Sequence, residues 1–158
     1  MPRPAPRTAL RLVLDTNVVL SALLWSSSPN RLITLAAEGD AIALYTSPML
    51  LDELAHTLGY ARFARRMERY GTDIDALLKQ YSELVTVVTP HSVPRVVPLD
   101  IDDDQVIAAA IAARADLIVT GDRRHLLPMG TYQGIPIVTP VQALLHINAA
   151  GRTYPSLH

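Results

Sequence analysis

The chain has 158 residues, 49% of them hydrophobic, with 14 Lys+Arg against 15 Asp+Glu and no cysteine. That composition fits one ordinary globular domain and excludes a disordered chain, a disulfide scaffold, a thiol nucleophile and any Cys-based zinc or iron–sulfur centre. A formal charge of −1 supplies no global field for polyanions, so nucleic-acid binding has to come from a local basic patch or from metal ions.

Met1 to Arg11 carries Pro2, Pro4 and Pro6 among three arginines. The apolar run behind it is broken by Asp15 and Asn17 and has no small-residue cleavage pattern, so residues 1–9 read as a short tail rather than an export signal. No stretch reaches the roughly 18 uncharged apolar residues that a membrane span requires, so the expected setting is the cytoplasm, with no membrane partner. Leu10 to Leu14 predicts a strand, and Asp15-Thr16-Asn17 offers three helix caps before Val18-Val19-Leu20. After the break at Ser26 to Pro29, Asn30 is a good cap for a helix over Arg31 to Glu38, which Gly39 closes. Ile42 to Tyr45 reads as a second strand. Ser47-Pro48 opens a helix through Leu50, Leu51, Leu54 and Leu58 to Gly59. Tyr60 to Tyr70 is helical again, and its Arg62, Arg65, Arg66 and Arg69 fall at i, i+3, i+4 and i+7, one cationic stripe. Asp73 to Leu84 predicts an amphipathic helix, and the β-branched Val85 to Val88 a strand.

Three prolines keep Thr89 to Asp100 an ordered loop. Asp102-Asp103-Asp104 caps an alanine-rich helix to about Arg114, Asp116 to Thr120 is a buried strand, and Gly121-Asp122 turns out of it. Ile135 to Val138 is the last strand, before a helix opened by Pro140. Strands alternating with helices imply an α/β fold: a single domain over 10–147 with a central, mainly parallel sheet and helices on both faces, followed by a tail over 148–158. Ligands of such sheets bind beyond the carboxyl ends of the strands, the edge that receives Asp15 and Asp122.

Four acidic positions stand out, and each has two readings. Asp15 either caps the next helix or serves a site, and Asp122 is either a turn residue or a site residue. Glu53 sits on the flank of the Leu50, Leu51, Leu54, Leu58 stripe, where it meets a cleft edge or solvent. Asp103 aligns with Val106, Ile107, Ala110 and Ile111, and Asp104 with Ile107, Ala108 and Ile111, so either can face inward. Otherwise the run Asp100 to Asp104 is a solvated cluster at the positive end of a helix, worth under about 1 kcal/mol per charge. Several carboxylates at one strand edge repel one another unless a cation is present, and hard oxygen ligands favour Mg²⁺ or Mn²⁺. Such a centre suits phosphodiester hydrolysis.

Leu14-Asp15-Thr16-Asn17-Val18, Ser47 with Glu53-Leu54, the Asp-rich Asp100 to Asp104 before Val106 to Ala110, and Ile118 to Asp122 together resemble the PIN-domain ribonucleases, in particular the VapC-like toxins of toxin–antitoxin systems. The resemblance runs from about residue 10 to 147. It implies a metal-dependent endoribonuclease in which Asp15, Glu53, Asp103 or Asp104, and Asp122 hold Mg²⁺ or Mn²⁺ and activate water, with Asn17 and Thr120 as polar support. It further implies RNA as substrate, a homodimer and a cognate antitoxin whose tail plugs the acidic cleft.

The stripe of Arg62, Arg65, Arg66 and Arg69 is the candidate phosphate contact, since an acidic pocket in a nearly neutral chain needs cations to hold a polyanion. Its plainer reading is a solvated face. Arg123, Arg124 and His125 lie beside Asp122 and offer further substrate contacts; His125 is either a general acid or a structural residue. A competing function is a PIN-like module that binds RNA or protein without catalysis. A receiver-type phosphoryl-transfer protein is disfavoured, because Lys79 is the only lysine and lies in a helix.

Overall fold

The computed structural model describes residues 9–95 and 101–149, without the side chain of Ile101. In chain order the elements are β1 Leu10–Leu14, α1 Thr16–Leu24, α2 Ser28–Glu38, β2 Ile42–Thr46, α3 Pro48–Leu58, α4 Ala61–Arg69, α5 Ile74–Ser82 and β3 Val85–Val87. Then follow α6 Ile101–Ala113, β4 Leu117–Val119, α7 Leu126–Met129, β5 Thr131–Tyr132, β6 Ile135–Val138 and α8 Pro140–Ala149. Six strands form one sheet in the order β3-β2-β1-β4-β6-β5. All neighbours are parallel except β5 with β6.

Alternation along the strands splits the core into two layers, as expected of a parallel sheet covered on both faces. Leu10, Leu12 and Leu14 of β1, with Leu117 and Val119 of β4, point into one layer, which α1, α2, α8 and the apolar sides of α3, α4 and α5 close. Val13, Ile118 and Ile137 point into the other, closed by Val106, Ile107, Ala109 and Ala110 of α6 with Leu126 of α7. The α/β expectation is therefore met.

The chain leaves β1 toward β2 and β3, then returns to place β4 on the other side of β1. That reversal leaves a crevice beyond the carboxyl ends of β1 and β4, where no crossover covers it. Main-chain bonds continue past the strand ends: the Asp15 N–H donates to the Val119 carbonyl, tying β1 to β4, and the Thr120 N–H to the Val138 carbonyl, tying β4 to β6, each at 2.9 Å.

Several local expectations need correction. Helix α2 starts at Ser28 behind Ser27 rather than at Asn30; Pro29 fits the first turn, where a missing N–H costs nothing. Asn30 lies inside the helix, and its side-chain amide donates to the Ala22 carbonyl at 2.8 Å. Helix α6 begins at Ile101, so Asp102, Asp103 and Asp104 fill its first turn instead of capping it. The short hairpin of β5 and β6 was not anticipated. Its two turn residues, Gln133 and Gly134, have φ of 49° and 82°, the twist that two-residue hairpins require and one that glutamine seldom signals. Thr89 to Arg95 is irregular, as expected, and the remainder of that loop lies outside the described residues. So do the expected tails, apart from Ala9 and from Asn148 and Ala149, which belong to α8.

Candidate metal centre

Asp15 leaves the end of β1 directly into α1. It occupies the cap position of that helix, yet its side chain makes no capping bond. Instead the Thr120 hydroxyl, at the end of β4, donates to Asp15 Oδ2 at 2.7 Å. The same Thr120 oxygen accepts the Asp122 N–H at 2.9 Å. Thr120 is fully buried and Asp15 nearly so. One hydroxyl thus sets the positions of two acids across the crevice, which accounts for a threonine rather than an apolar residue at the end of this strand.

Asp122 is held by the turn that follows. Its Oδ1 accepts the N–H groups of Arg124 and His125 at 2.9 and 3.2 Å, and its Oδ2 accepts that of Leu126 at 3.2 Å. Partial burial alone would raise this carboxyl, but those N–H groups and a hydrogen bond with Asp103 outweigh it and hold Asp122 below the usual carboxylate range. The same side chain therefore closes the turn and borders the cleft.

Glu53 reaches the crevice from the half-buried flank of α3, where the Thr16 hydroxyl donates to its Oε1. Burial pushes the Glu53 carboxyl up to about 7, helped by the hydrogen bond and charge of Asp102 and by the charge of Asp15, while the Thr16 hydroxyl works the other way. In the unfolded chain this group ionises near 4.5, so between the two values the unfolded form releases a proton that the fold retains. The metal-free protein is therefore expected to lose stability as pH rises from about 4.5 to about 7, with no further change from this group above that range. In EDTA, Glu53→Gln should flatten that part of a melting-temperature profile relative to wild type. An identical slope in both proteins would reject the assignment.

The three successive aspartates of α6 fan out by about 100° each. Asp102 is exposed at the rim, Asp103 is buried with its carboxylate on the cleft, and Asp104 is also buried but does not border it. A cleft of about 310 Å³ is lined by Asp15, Thr16, Asn17, Glu53, Thr57, Asp102, Asp103, Gly121 and Asp122. On its β4 side, one ligand atom each from Asp103, Asp122 and His125 lies within 4.8 Å of the other two. His125 Nδ1 stands 3.3 Å from Asp103 Oδ2 and 3.7 Å from Asp122 Oδ2.

The structure thus brings together Asp15, Asn17, Glu53, Asp103 and Asp122, with Thr120 beneath them. It adds Thr16, Thr57 and Asp102, which the sequence reading did not single out, and it draws His125 into the cluster. Thr16 was legible in principle as a hydroxyl beside Asp15 at the helix start; Asp102 was hidden by its apparent role as a cap. Arg62, Arg65, Arg66 and Arg69 do not line this cleft, and Arg123 is exposed beside it. Arg62 and Arg66 rest on aromatic rings instead.

The donor set is hard: carboxylate oxygens, hydroxyls and one imidazole. The groups that raise Glu53 include two other carboxylates, a repulsion that a bound cation would relieve. These residues fit a divalent metal. Among the described residues no helix is long and apolar enough to cross a membrane.

The sequence profile of the PIN domain matches residues 11–124, a span that contains Asp15, Glu53, Asp103 and Asp122. An uncharacterized protein of Methanocaldococcus jannaschii is 30% identical over 118 residues, 72% of this chain and 72% of that protein. With its parallel sheet reversing between β1 and β4 and its acids gathered at that reversal, the chain belongs to the PIN domain family, a nuclease-type fold.

Proposed function

We propose that this protein is a metal-dependent endoribonuclease that hydrolyses RNA phosphodiester bonds, and that it acts as the toxin of a toxin–antitoxin pair. The observation that carries the reading is the cleft in which Asp15, Glu53, Asp103 and Asp122 converge at the sheet reversal. In this reading these four acids, with His125 beside Asp103, hold Mg²⁺ or Mn²⁺; Asp104 lies behind the cleft. When bound, such an ion neutralises phosphate charge and supplies Lewis acidity at phosphorus.

The chain's own groups do the positioning. Thr120 orients Asp15, and Thr16 orients Glu53. The turn N–H groups fix Asp122 in its ionised form. Glu53 faces the cleft beside Asp15 and Asp102, so a cation held there would stabilise its ionised form. Asn17 sits at the mouth of the cleft as a polar contact for the sugar–phosphate chain. The toxin role, a homodimer, a cognate antitoxin and a cytoplasmic setting follow from the motif order and its likeness to the VapC-like branch.

The test is cleavage of end-labelled single-stranded RNA by the purified chain in Mn²⁺, Mg²⁺ or EDTA. Cutting that requires the metal is the expected result, and expression in bacteria should arrest growth. Failure to cut several unrelated RNAs, by folded protein free of any copurified partner, would move the function to non-catalytic binding.

A further inference from the structure

The acidic cleft carries no cationic side chain of its own apart from His125 beside it, and the arginine stripe of α4 is a place where a nucleic-acid chain could be gripped. Arg62 lies 5.1 Å from the centre of the Tyr60 ring and 4.8 Å from that of Phe63. Phe63 meets Trp25 edge to face at 6.4 Å. Arg66 lies 4.4 Å from the Trp25 ring and 5.0 Å from the Tyr70 ring. Tyr60, Arg62, Phe63, Trp25, Arg66 and Tyr70 therefore form one unbroken series of rings and guanidinium groups.

Only Phe63 of that series is buried; Trp25, Tyr60 and Tyr70 are 40%, 41% and 61% exposed. Three large, partly exposed rings in one contiguous series make an aromatic patch on the surface. The Arg66 Nε donates to the Leu24 carbonyl at 2.6 Å, which fixes the plane of the guanidinium. No acceptor among the described residues takes its remaining N–H groups, and Arg66 borders a cavity of about 300 Å³ together with Trp25, Tyr70, Asn30 and Gln80. A cavity bordered by two exposed aromatic rings, the Gln80 amide and an oriented guanidinium offers what a base and its phosphate need. Arg65 and Arg69 are exposed on the same helix and extend the positive charge.

We infer that this series is a stacking platform for unpaired bases of single-stranded RNA, an inference that rests on the ribonuclease reading. Helix α1 links the two places: Thr16 borders the cleft at its start and Trp25 follows its last residue. Nine helical residues span about 13 Å, so bases held at Trp25 lie a few nucleotides from the acids. The platform then contributes affinity through base faces, and requires them unpaired, whereas a purely cationic stripe would hold any polyphosphate chain alike.

Trp25 is the only tryptophan of the chain, so its emission reports on this surface directly. The full chain in EDTA, where hydrolysis is blocked, is titrated with a single-stranded RNA, the same sequence as a duplex, and an abasic phosphodiester chain of equal length. The single strand should quench Trp25 and bind about tenfold more tightly than the abasic chain, and Tyr70→Ala, at an exposed position, should remove most of that advantage. Equal binding of single-stranded and abasic chains would overturn the platform and leave a phosphate contact only. RNA cutting with no Trp25 response would overturn it while the nuclease reading stands; absence of both binding and cutting would overturn the two together. If a peptide ligand alone perturbs Trp25, the surface is a protein-docking face and the inference is wrong.

Discussion

Asp15→Asn is expected to lower metal-dependent RNA hydrolysis by at least about a hundredfold, a loss at the upper end of what even supporting residues of a metal site produce. The carboxylate is exchanged for a neutral amide oxygen of the same reach, so the ligand weakens but the shape of the crevice does not. The amide oxygen can still accept the Thr120 hydroxyl, and no helix cap is lost, because Asp15 makes none. Removing one of several crowded negative charges also relieves repulsion in the metal-free state. The melting temperature in EDTA should therefore equal or exceed that of wild type. A variant that cuts RNA at the wild-type rate under matched metal would dismiss the cleft as the catalytic centre. One that melts well below wild type would mark Asp15 as chiefly a structural residue.

Ile118→Ala should do the reverse and act through the fold. Ile118 is fully buried in the middle of β4, in register with Val13 on one side and Ile137 on the other. Its side chain packs in the layer closed by the small residues of α6, Ala109 and Ala110. Short side chains on a helix seated against a sheet have little freedom to move into a void, so truncation leaves a cavity and costs about 2–5 kcal/mol. A domain of this size has only about 5–15 kcal/mol in total. Because Thr120 and Asp122 follow the end of β4, the loss should be accompanied by weaker metal binding at temperatures approaching the melt. Urea denaturation followed by circular dichroism measures the effect, with Ile111→Ala, at an exposed position of the facing helix α6, expected to stay within about 0.5 kcal/mol. Equal midpoints for the two variants would contradict the two-layer core.

These expectations separate residues that serve chemistry from residues that serve the sheet, and the sequence distinguishes them unevenly. Hydrophobic runs of four or five residues bounded by polar turns mark β1, β2 and β6 to within a residue, because strands buried on both faces have no other way to be written. Ser47 before Pro48 marks the start of α3, and the Ser47 side chain does accept the Leu50 N–H at 3.3 Å. Asp15, Glu53, the pair Asp103 and Asp104, and Asp122 were legible as a group from their places after strands, on a helix flank and at a helix start. Their order along the chain also carried the family likeness.

Local pattern could not decide which face each acid presents. Three consecutive aspartates look alike in a sequence, and only the packing of α6 against the sheet sends Asp103 to the cleft and Asp104 behind it. The spacing of Arg62, Arg65, Arg66 and Arg69 predicts a stripe, but not that Trp25, forty-one positions before Arg66, closes a ring stack with it. His125 joins Asp103 across more than twenty residues for the same reason. Most elements, the parallel sheet and the presence of acids at its edge could be read from the chain alone, since these depend on neighbours in sequence and on burial averaged over a face; the β5–β6 hairpin and the starts of α2 and α6 could not. Only the tertiary structure decided which side chains meet, because an approach between distant segments is set by strand order and helix packing, and a distance of 3 or 4 Å decides whether two groups share a cation, a hydrogen bond or nothing.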